Sequence, residues 1–191
     1  MTVAPPVTLL TRDDLAATTA RLGAEIAADH PDGVVLVGIL KGALVFLADL
    51  VRAVHGVEVL VDFMAISRYA PDSGRVRVVL DLGLDLTGRD VVIVEDLVDT
   101  GLTATFLRGR IEALGPRRVS LCTLLDRTVR RIVPVAVEYR GAEIPDVYAV
   151  GYGLHTADLY RNLDAVYAVD PAPLRTDPAV YVAALYGAVR P

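Results

Sequence analysis

The chain has 191 residues, 53% of them hydrophobic and 23% charged, with a net charge of -5 and one cysteine. That length suits a single domain with a sizeable core, and the composition excludes a disordered chain. The acidic balance argues against a broad nucleic-acid surface, which needs a basic stripe. It leaves room for an anionic small substrate held by local arginines, backbone N–H groups and a divalent cation. No apolar run approaches the roughly 18 residues of a membrane span. The segment MTVAPPVTLLTRDD has neither the basic start nor the apolar core of a signal peptide. Cys122 lies in the apolar run 119–125 with no second cysteine to pair with, and reads as a buried inert thiol. A reducing cytoplasm fits these features.

In chain order, residues 34–40 read as a buried strand. Residues 43–54 follow as a helix with Leu44, Leu47, Leu50, Val51 and Val54 at helical spacing. A second strand spans 57–66, and the polar, turn-rich stretch 67–74 after it is expected to be an exposed, mobile loop. Residues 90–95 form a third strand and 103–114 a helix, which Gly115-Pro116 stops. Further strands are expected at 119–125 and 147–150. In the tail, 171–191, Val180, Ala184 and Leu185 have helical spacing, suited to packing on the core or on a neighbouring subunit. No repeat or linker interrupts this order. Near-continuous apolar strands alternating with helices predict an α/β domain whose parallel sheet is covered on both faces. Ligands in such sheets bind at the carboxyl ends of strands. That rule points to Leu40-Lys41-Gly42, to residues 95–103 and to Leu125-Asp126-Arg127.

The segment 91–103 is the most informative. Four apolar residues lead into Glu95 and Asp96; Asp99, Thr100 and Gly101 follow, then Leu102, Thr103 and a helix. Gly101 lets backbone N–H groups crowd round an anion, Thr100 and Thr103 add hydroxyl donors, and the helix start adds its positive dipole end. A phosphate monoester fits there. The acidic pair then faces the rest of the ligand, able to accept hydrogen bonds from sugar hydroxyls and to hold Mg2+. No Gly-Lys-Ser/Thr follows, so this is not a Walker A loop, and Gly151-Tyr-Gly153 lacks the third glycine of a dinucleotide fingerprint.

As a whole, the segment resembles the phosphoribosyl-pyrophosphate (PRPP) motif of type I phosphoribosyltransferases. Other segments resemble hypoxanthine-guanine phosphoribosyltransferases in the same order: Gly38-Ile-Leu-Lys41-Gly42-Ala43, residues 61–67, Leu124-Leu-Asp-Arg127, residues 143–154 and Leu159-Tyr-Arg161-Asn-Leu163. The resemblance runs from about 34 to 169 and implies one domain over 1–191, with 171–191 as a C-terminal extension. It implies the type I fold: a parallel sheet flanked by helices, a small hood and a flexible lid loop. It also implies a cytoplasmic, Mg2+-dependent glycosyltransferase of purine salvage, a homodimer or homotetramer, acting on PRPP and a 6-oxopurine without nucleic-acid or membrane partners. Lys41 and Gly42 would bind pyrophosphate, with a non-proline cis peptide before Lys41. Glu95 and Asp96 would hold the ribose hydroxyls and Mg2+. Asp99 would be the general base near N7, Thr100, Gly101, Leu102 and Thr103 would hold the 5′-phosphate, and Arg161 would contact pyrophosphate. Tyr148 would stack on the purine, the Ala149 backbone would read its edge, and Arg127 would donate to its 6-oxo group. Arg68 and Tyr69 would belong to the lid.

The chain departs from the family pattern at the base site. His155 stands where the family usually has Asp, a contact to a second metal and to the exocyclic group of the purine. Arg127 stands for a usual Lys and brings a wider planar fork. Arg68-Tyr69 stands for Ser-Tyr in a shorter lid. These changes leave PRPP chemistry intact and put the emphasis on which base is used. Hypoxanthine leads, with guanine less favoured. A phosphoribosyltransferase for a modified purine-like base stays open, as does a non-catalytic sensor of PRPP or nucleotides. Retention of Lys41, Asp99 and Arg161 favours turnover.

Overall fold

The computed structural model describes residues 3–67 and 77–187. Arg68 and Tyr69 lie outside these residues, as does almost all of the stretch read as a lid. The first elements are strand β1 (Val7–Leu10) and helix α1 (Arg12–Asp29). The helix starts at a capping box: the Asp14 N–H donates to Thr11 Oγ1 at 3.2 Å, and the Thr11 N–H donates to Asp14 Oδ2 at 2.9 Å. It buries Leu15, Thr19, Leu22, Gly23 and Ile26 along one face. Then come β2 (Val34–Leu40), α2 (Leu44–Ala53), β3 (Val59–Ser67), β4 (Arg77–Leu80), β5 (Asp90–Val98), α3 (Leu102–Glu112) and β6 (Arg118–Asp126). A 3-10 turn at Thr128–Arg130 leads to β7 (Tyr139–Glu143), β8 (Tyr148–Val150), β9 (Val166–Val169) and the short helices α4 (Pro171–Leu174) and α5 (Val182–Tyr186).

The main sheet has six strands in the order β4-β3-β2-β5-β6-β7. Its pairings are parallel except that of β4 with β3. The expected α/β architecture is therefore present. Alternation along each strand explains why the strands read as unbroken apolar runs. Val34, Leu36, Val92, Val94, Cys122 and Leu124 face a core shared with Leu22 and Ile26 of α1 and Phe46 and Leu50 of α2. Val35, Val37, Val91, Ile93 and Leu121 face the opposite core with Ala104, Leu107 and Ile111 of α3. Both faces are covered, so both side-chain sets must be apolar. Gly23 lets α1 approach α2 closely, because a Cβ there would lie 2.5 Å from the Ala53 carbonyl oxygen. Cys122 is buried as expected, and burial pushes its thiol pKa up.

The hood is a three-stranded antiparallel sheet in the order β1-β9-β8. Val150, Tyr160, Leu163, Val169, Leu174 and Tyr181 form its own core. The tail thus packs on the hood of its own chain. Sequence reading assigned no element to α1, β1, β4, β7 or β9. It ended β5 at Glu95, whereas the strand continues to Val98, through the acidic pair.

At the opposite end of the sheet, polar groups replace the apolar core. His30 is fully buried, with Nδ1 2.8 Å from Asp90 Oδ2 and Nε2 3.0 Å from the Tyr139 hydroxyl. Tyr139 donates to Asp29 at 2.9 Å, and Arg117 Nε donates to Asp90 at 2.7 Å. The Arg117 hydrogen bond, helped by His30 and opposed by burial, lowers the Asp90 pKa from 3.8 to about 2. A carboxylate depressed in the folded state stabilises the fold above its unfolded pKa. That stabilisation is lost as pH falls through the interval from 3.8 to about 2. We therefore expect Asp90→Asn to cost about 2 kcal/mol at pH 7 and the gap from the unmutated chain to close towards pH 2 in urea unfolding. A gap of constant size between pH 7 and pH 2 would contradict this account.

Candidate active site

A cleft of about 570 Å³ opens at the carboxyl ends of β2, β5 and β6. Strand order reverses between β2 and β5: β3 continues the sheet one way and β6 the other. This is the topological switch point where α/β sheets bind ligands. Pairing of β2 with β5 ends at Gly38–Val94, while β5 stays paired with β6 as far as Val98–Asp126. The final residues of β5 therefore edge an opening. Glu95 is buried there at 3% exposure and Asp96 is half-buried.

Beyond β5, the chain turns through Asp99, Thr100 and Gly101 into α3. Gly101 caps the helix in the left-handed region at φ 86°, and a Cβ on it would lie 2.3 Å from the Val133 carbonyl oxygen. The Thr100 carbonyl accepts from the N–H groups of Ile132 and Val133 at 2.9 and 3.0 Å, which pins the loop from outside. β2 ends in a cis Leu40–Lys41 peptide, as the resemblance implied. Gly42 then lies so close to Asp96 that a Cβ would meet its Oδ2 at 1.8 Å. From the hood, Gly153 (φ 100°) presses on the same turn, its Cβ position 2.2 Å from the Gly42 carbonyl oxygen.

The cleft brings together Lys41, Gly42, Glu95, Asp96, Asp99, Thr103, Arg127, Tyr148, Ala149, His155 and Arg161. Thr100, Gly101 and Leu102 form the loop at its end rather than its wall; Gly101 is buried and Leu102 is 55% exposed. The wall also holds Arg130, which sequence reading missed, and two carboxylates it left unassigned pair with wall residues. Arg127 and Arg130 each lie 3.7 Å from Asp146, and they lie 3.9 and 3.7 Å from Asp99. These are ion-pair distances beyond hydrogen-bond reach. Asp99 Oδ1 and Arg127 Nε are accordingly buried without a hydrogen bond. Buried polar atoms in that state are uncommon in folded proteins. Asp158 joins the other rim, accepting from Arg161 at 2.9 Å and from Lys41 at 3.4 Å. The Arg161 hydrogen bond, and then the Lys41 charge, hold its carboxyl below the usual carboxylate range. Arg130 follows a predicted strand end, so the strand-end rule reaches it; Asp158 lies in a turn with no periodic signal.

Tyr148 edges the cleft with its hydroxyl 2.7 Å from Thr156 Oγ1. His155 Nδ1 accepts from the Asp158 N–H at 3.1 Å, so the neutral ring carries its proton on Nε2. Glu95 and Asp96 offer oxygen donors, and Mg2+ is commonly held by one or two carboxylates together with substrate oxygens. The pair fits that ion. Among the described residues no group of three or more His, Cys, Asp or Glu side chains is poised as an all-protein metal cage.

The family model of the phosphoribosyl transferase domain matches residues 11–157. The hypoxanthine-guanine phosphoribosyltransferase of Mycobacterium tuberculosis is 39% identical over 173 residues, 85% of each chain. The hypoxanthine phosphoribosyltransferase of Haemophilus influenzae is 40% identical over 162 residues, 81% of this chain and 90% of its own. The crystal structure of a hypoxanthine-guanine phosphoribosyltransferase from Bacillus anthracis superposes with a TM-score of 0.83 at 36% identity, covering 87% of this chain and 100% of its own.

The stacked contact of Gly153 on Gly42 and of Gly42 on Asp96 leaves no space for a methyl group. We expect Gly153→Ala to destabilise the fold by about 2 kcal/mol and to weaken PRPP binding about tenfold through displacement of the Gly42 turn. Calorimetric titration and thermal unfolding measure both. Wild-type values for the two would disprove the interlock.

Proposed function

The chain belongs to the phosphoribosyltransferase family, and from that premise we propose that it transfers the 5-phosphoribosyl group of PRPP to hypoxanthine, giving the nucleoside monophosphate and pyrophosphate. The observation that carries the reading is the cleft itself, which sets Glu95, Asp96 and Asp99 among Lys41, Arg127 and Arg161 at the carboxyl ends of β2, β5 and β6. A 6-oxopurine offers an N–H at N7 to the Asp99 carboxylate and an acceptor at O6 to the Arg127 guanidinium.

In this reading the 100–103 loop holds the 5′-phosphate through backbone N–H groups and the two threonine hydroxyls. Glu95 and Asp96 hold the ribose hydroxyls and Mg2+, which when bound neutralises charge on the departing pyrophosphate. The bond from C1 to the pyrophosphate oxygen breaks, with its electrons going to that oxygen. Lys41 and Arg161 stabilise the charge growing there. N9 of the purine forms the new bond to C1, and Asp99 accepts the proton from N7. Tyr148 stacks on the base, and the Ala149 backbone reads its edge. His155 lines the same cleft where the family usually has Asp, and hypoxanthine, which carries no 2-amino group, is the base proposed. The protein works as a cytoplasmic homodimer or homotetramer without nucleic-acid or membrane partners, in line with its net charge of -5.

A pyrophosphate-release assay with PRPP, Mg2+ and a panel of purines tests this directly. We expect turnover with hypoxanthine; PRPP binding with no turnover on any base would overturn the reading. Asp99→Asn should lower kcat by about 10²- to 10⁴-fold and leave PRPP affinity within about twofold. Unchanged kcat would remove Asp99 as the base.

A further inference from the structure

Arg161 sits in a segment whose shape its own sequence does not favour. Ala157, Asp158 and Tyr160 have φ values of 47°, 62° and 74°, and no glycine occurs between Gly153 and the end of the hood. Left-handed backbone is costly for residues with a Cβ and persists where surrounding structure holds it. Local contacts hold part of this segment, the Asp158 N–H donating to His155 Nδ1 at 3.1 Å and the Gly153 N–H to the Arg161 carbonyl at 2.9 Å; at Tyr160 and Asn162 the holding contacts come from the tail. The Tyr186 hydroxyl accepts from the Tyr160 N–H at 3.0 Å and donates to Asn162 Oδ1 at 2.8 Å. One hydroxyl thus bridges the two residues that flank Arg161. The Tyr160 and Tyr186 rings stack, with centroids 6.1 Å apart and planes 22° apart. The Tyr160 hydroxyl in turn donates to the Pro178 carbonyl at 2.6 Å and accepts from the Tyr181 N–H at 3.3 Å. Arg161 itself reaches the other way, with NH1 donating to the Gly153 carbonyl at 2.6 Å.

We propose that Tyr186 is a positioning residue for Arg161: the C-terminal extension sets the backbone that aims this guanidinium into the cleft. The inference rests on the pyrophosphate role proposed above for Arg161. Both Tyr186 and its contacts Tyr160 and Asn162 lie beyond residue 157, where the match to the family model ends. Tyr186 is 38% exposed, so removal of its hydroxyl opens no buried cavity. The loss should fall on the pyrophosphate end of the cleft and spare the nucleotide end. Tyr186→Phe keeps the ring stack and deletes only the bridge.

The test compares binding of pyrophosphate and of inosine monophosphate, both with Mg2+, to the full chain and its variants by calorimetry. We expect Tyr186→Phe to weaken pyrophosphate, and to raise the KM for PRPP, about three- to tenfold. Affinity for the monophosphate, which has no pyrophosphate, should stay within about twofold. Arg161→Ala should remove most pyrophosphate affinity, and adding Tyr186→Phe to it should cause no further loss. An equal loss for both ligands, or an additive double variant, overturns the positioning role. A loss in Arg161→Ala with none in Tyr186→Phe overturns it too, while leaving the pyrophosphate assignment standing. No loss in Arg161→Ala removes that assignment and this inference with it. Should Tyr186→Phe fold poorly, Asn162→Ala severs the same bridge from its other end and must show the same split between ligands.

Discussion

The whole site depends on β5 outrunning its neighbour. Once β2 releases it at Gly38–Val94, Glu95 and the residues after it keep the pairing to β6 but lose the strand on the other side. In open α/β sheets the crevice outside the carboxyl ends lies where the strand order reverses. Here the vacated space remains as the cleft, and α2 and α3 start on either side of it. Polar groups that the sheet's interior would not tolerate line this edge, Asp96 and Asp99 half-buried beside the cleft. The carboxylates are thus rigid, being part of a strand, and stand at its open margin, Asp96 half-buried and Glu95 buried.

Rigidity on the other side comes from close backbone contact. Gly153 rests on the Gly42 carbonyl, and Gly42 rests on the Asp96 side chain. Hood, strand-β2 turn and strand-β5 carboxylate are therefore fixed relative to one another through glycines, with no long side chain between them. Contacts of this kind transmit displacement with little give, since packed interiors resist compression. The cleft has a firm floor for a ligand whose reacting atoms must be aligned within fractions of an ångström.

The central parallel strands and α2 and α3 were legible in the sequence because their signals are strong. β2, β5 and β6 are apolar on both faces, and α3 follows a glycine that only a left-handed cap needs. Helix α1 was not assigned, since its buried positions include Thr19 and Gly23 and its apolar stripe is thin. β4 and β7 are edge strands and β1 and β9 belong to the small hood, where burial is partial and period-two alternation is weak. Among the site residues expected from long motifs, most line the cleft, while Thr100, Gly101 and Leu102 form the loop at its end and Arg68 and Tyr69 lie outside the described residues. Arg130 and Asp158 were not expected. Their place in the site comes from a turn conformation and from the hood folding over the sheet, and neither leaves a periodic trace in the sequence.

Charge placement explains how an acidic chain can suit a polyanionic substrate. Cations stand at both ends of the cleft, Arg127 and Arg130 at one and Lys41 and Arg161 at the other, with Glu95 and Asp96 between them. Each cation group is tempered by carboxylates: Asp99 and Asp146 at the first, Asp158 at the second. At the first end the separations of 3.7 to 3.9 Å are too long for hydrogen bonds, so the charges steady one another without using up their donors and acceptors. At the second, Asp158 engages Lys41 and Arg161 directly, and an arriving phosphate group must compete with it. The middle of the cleft, left to itself, repels an anion. In the proposed reaction Glu95 and Asp96 would hold a divalent cation, whose charge would offset their own towards a phosphate-bearing ligand.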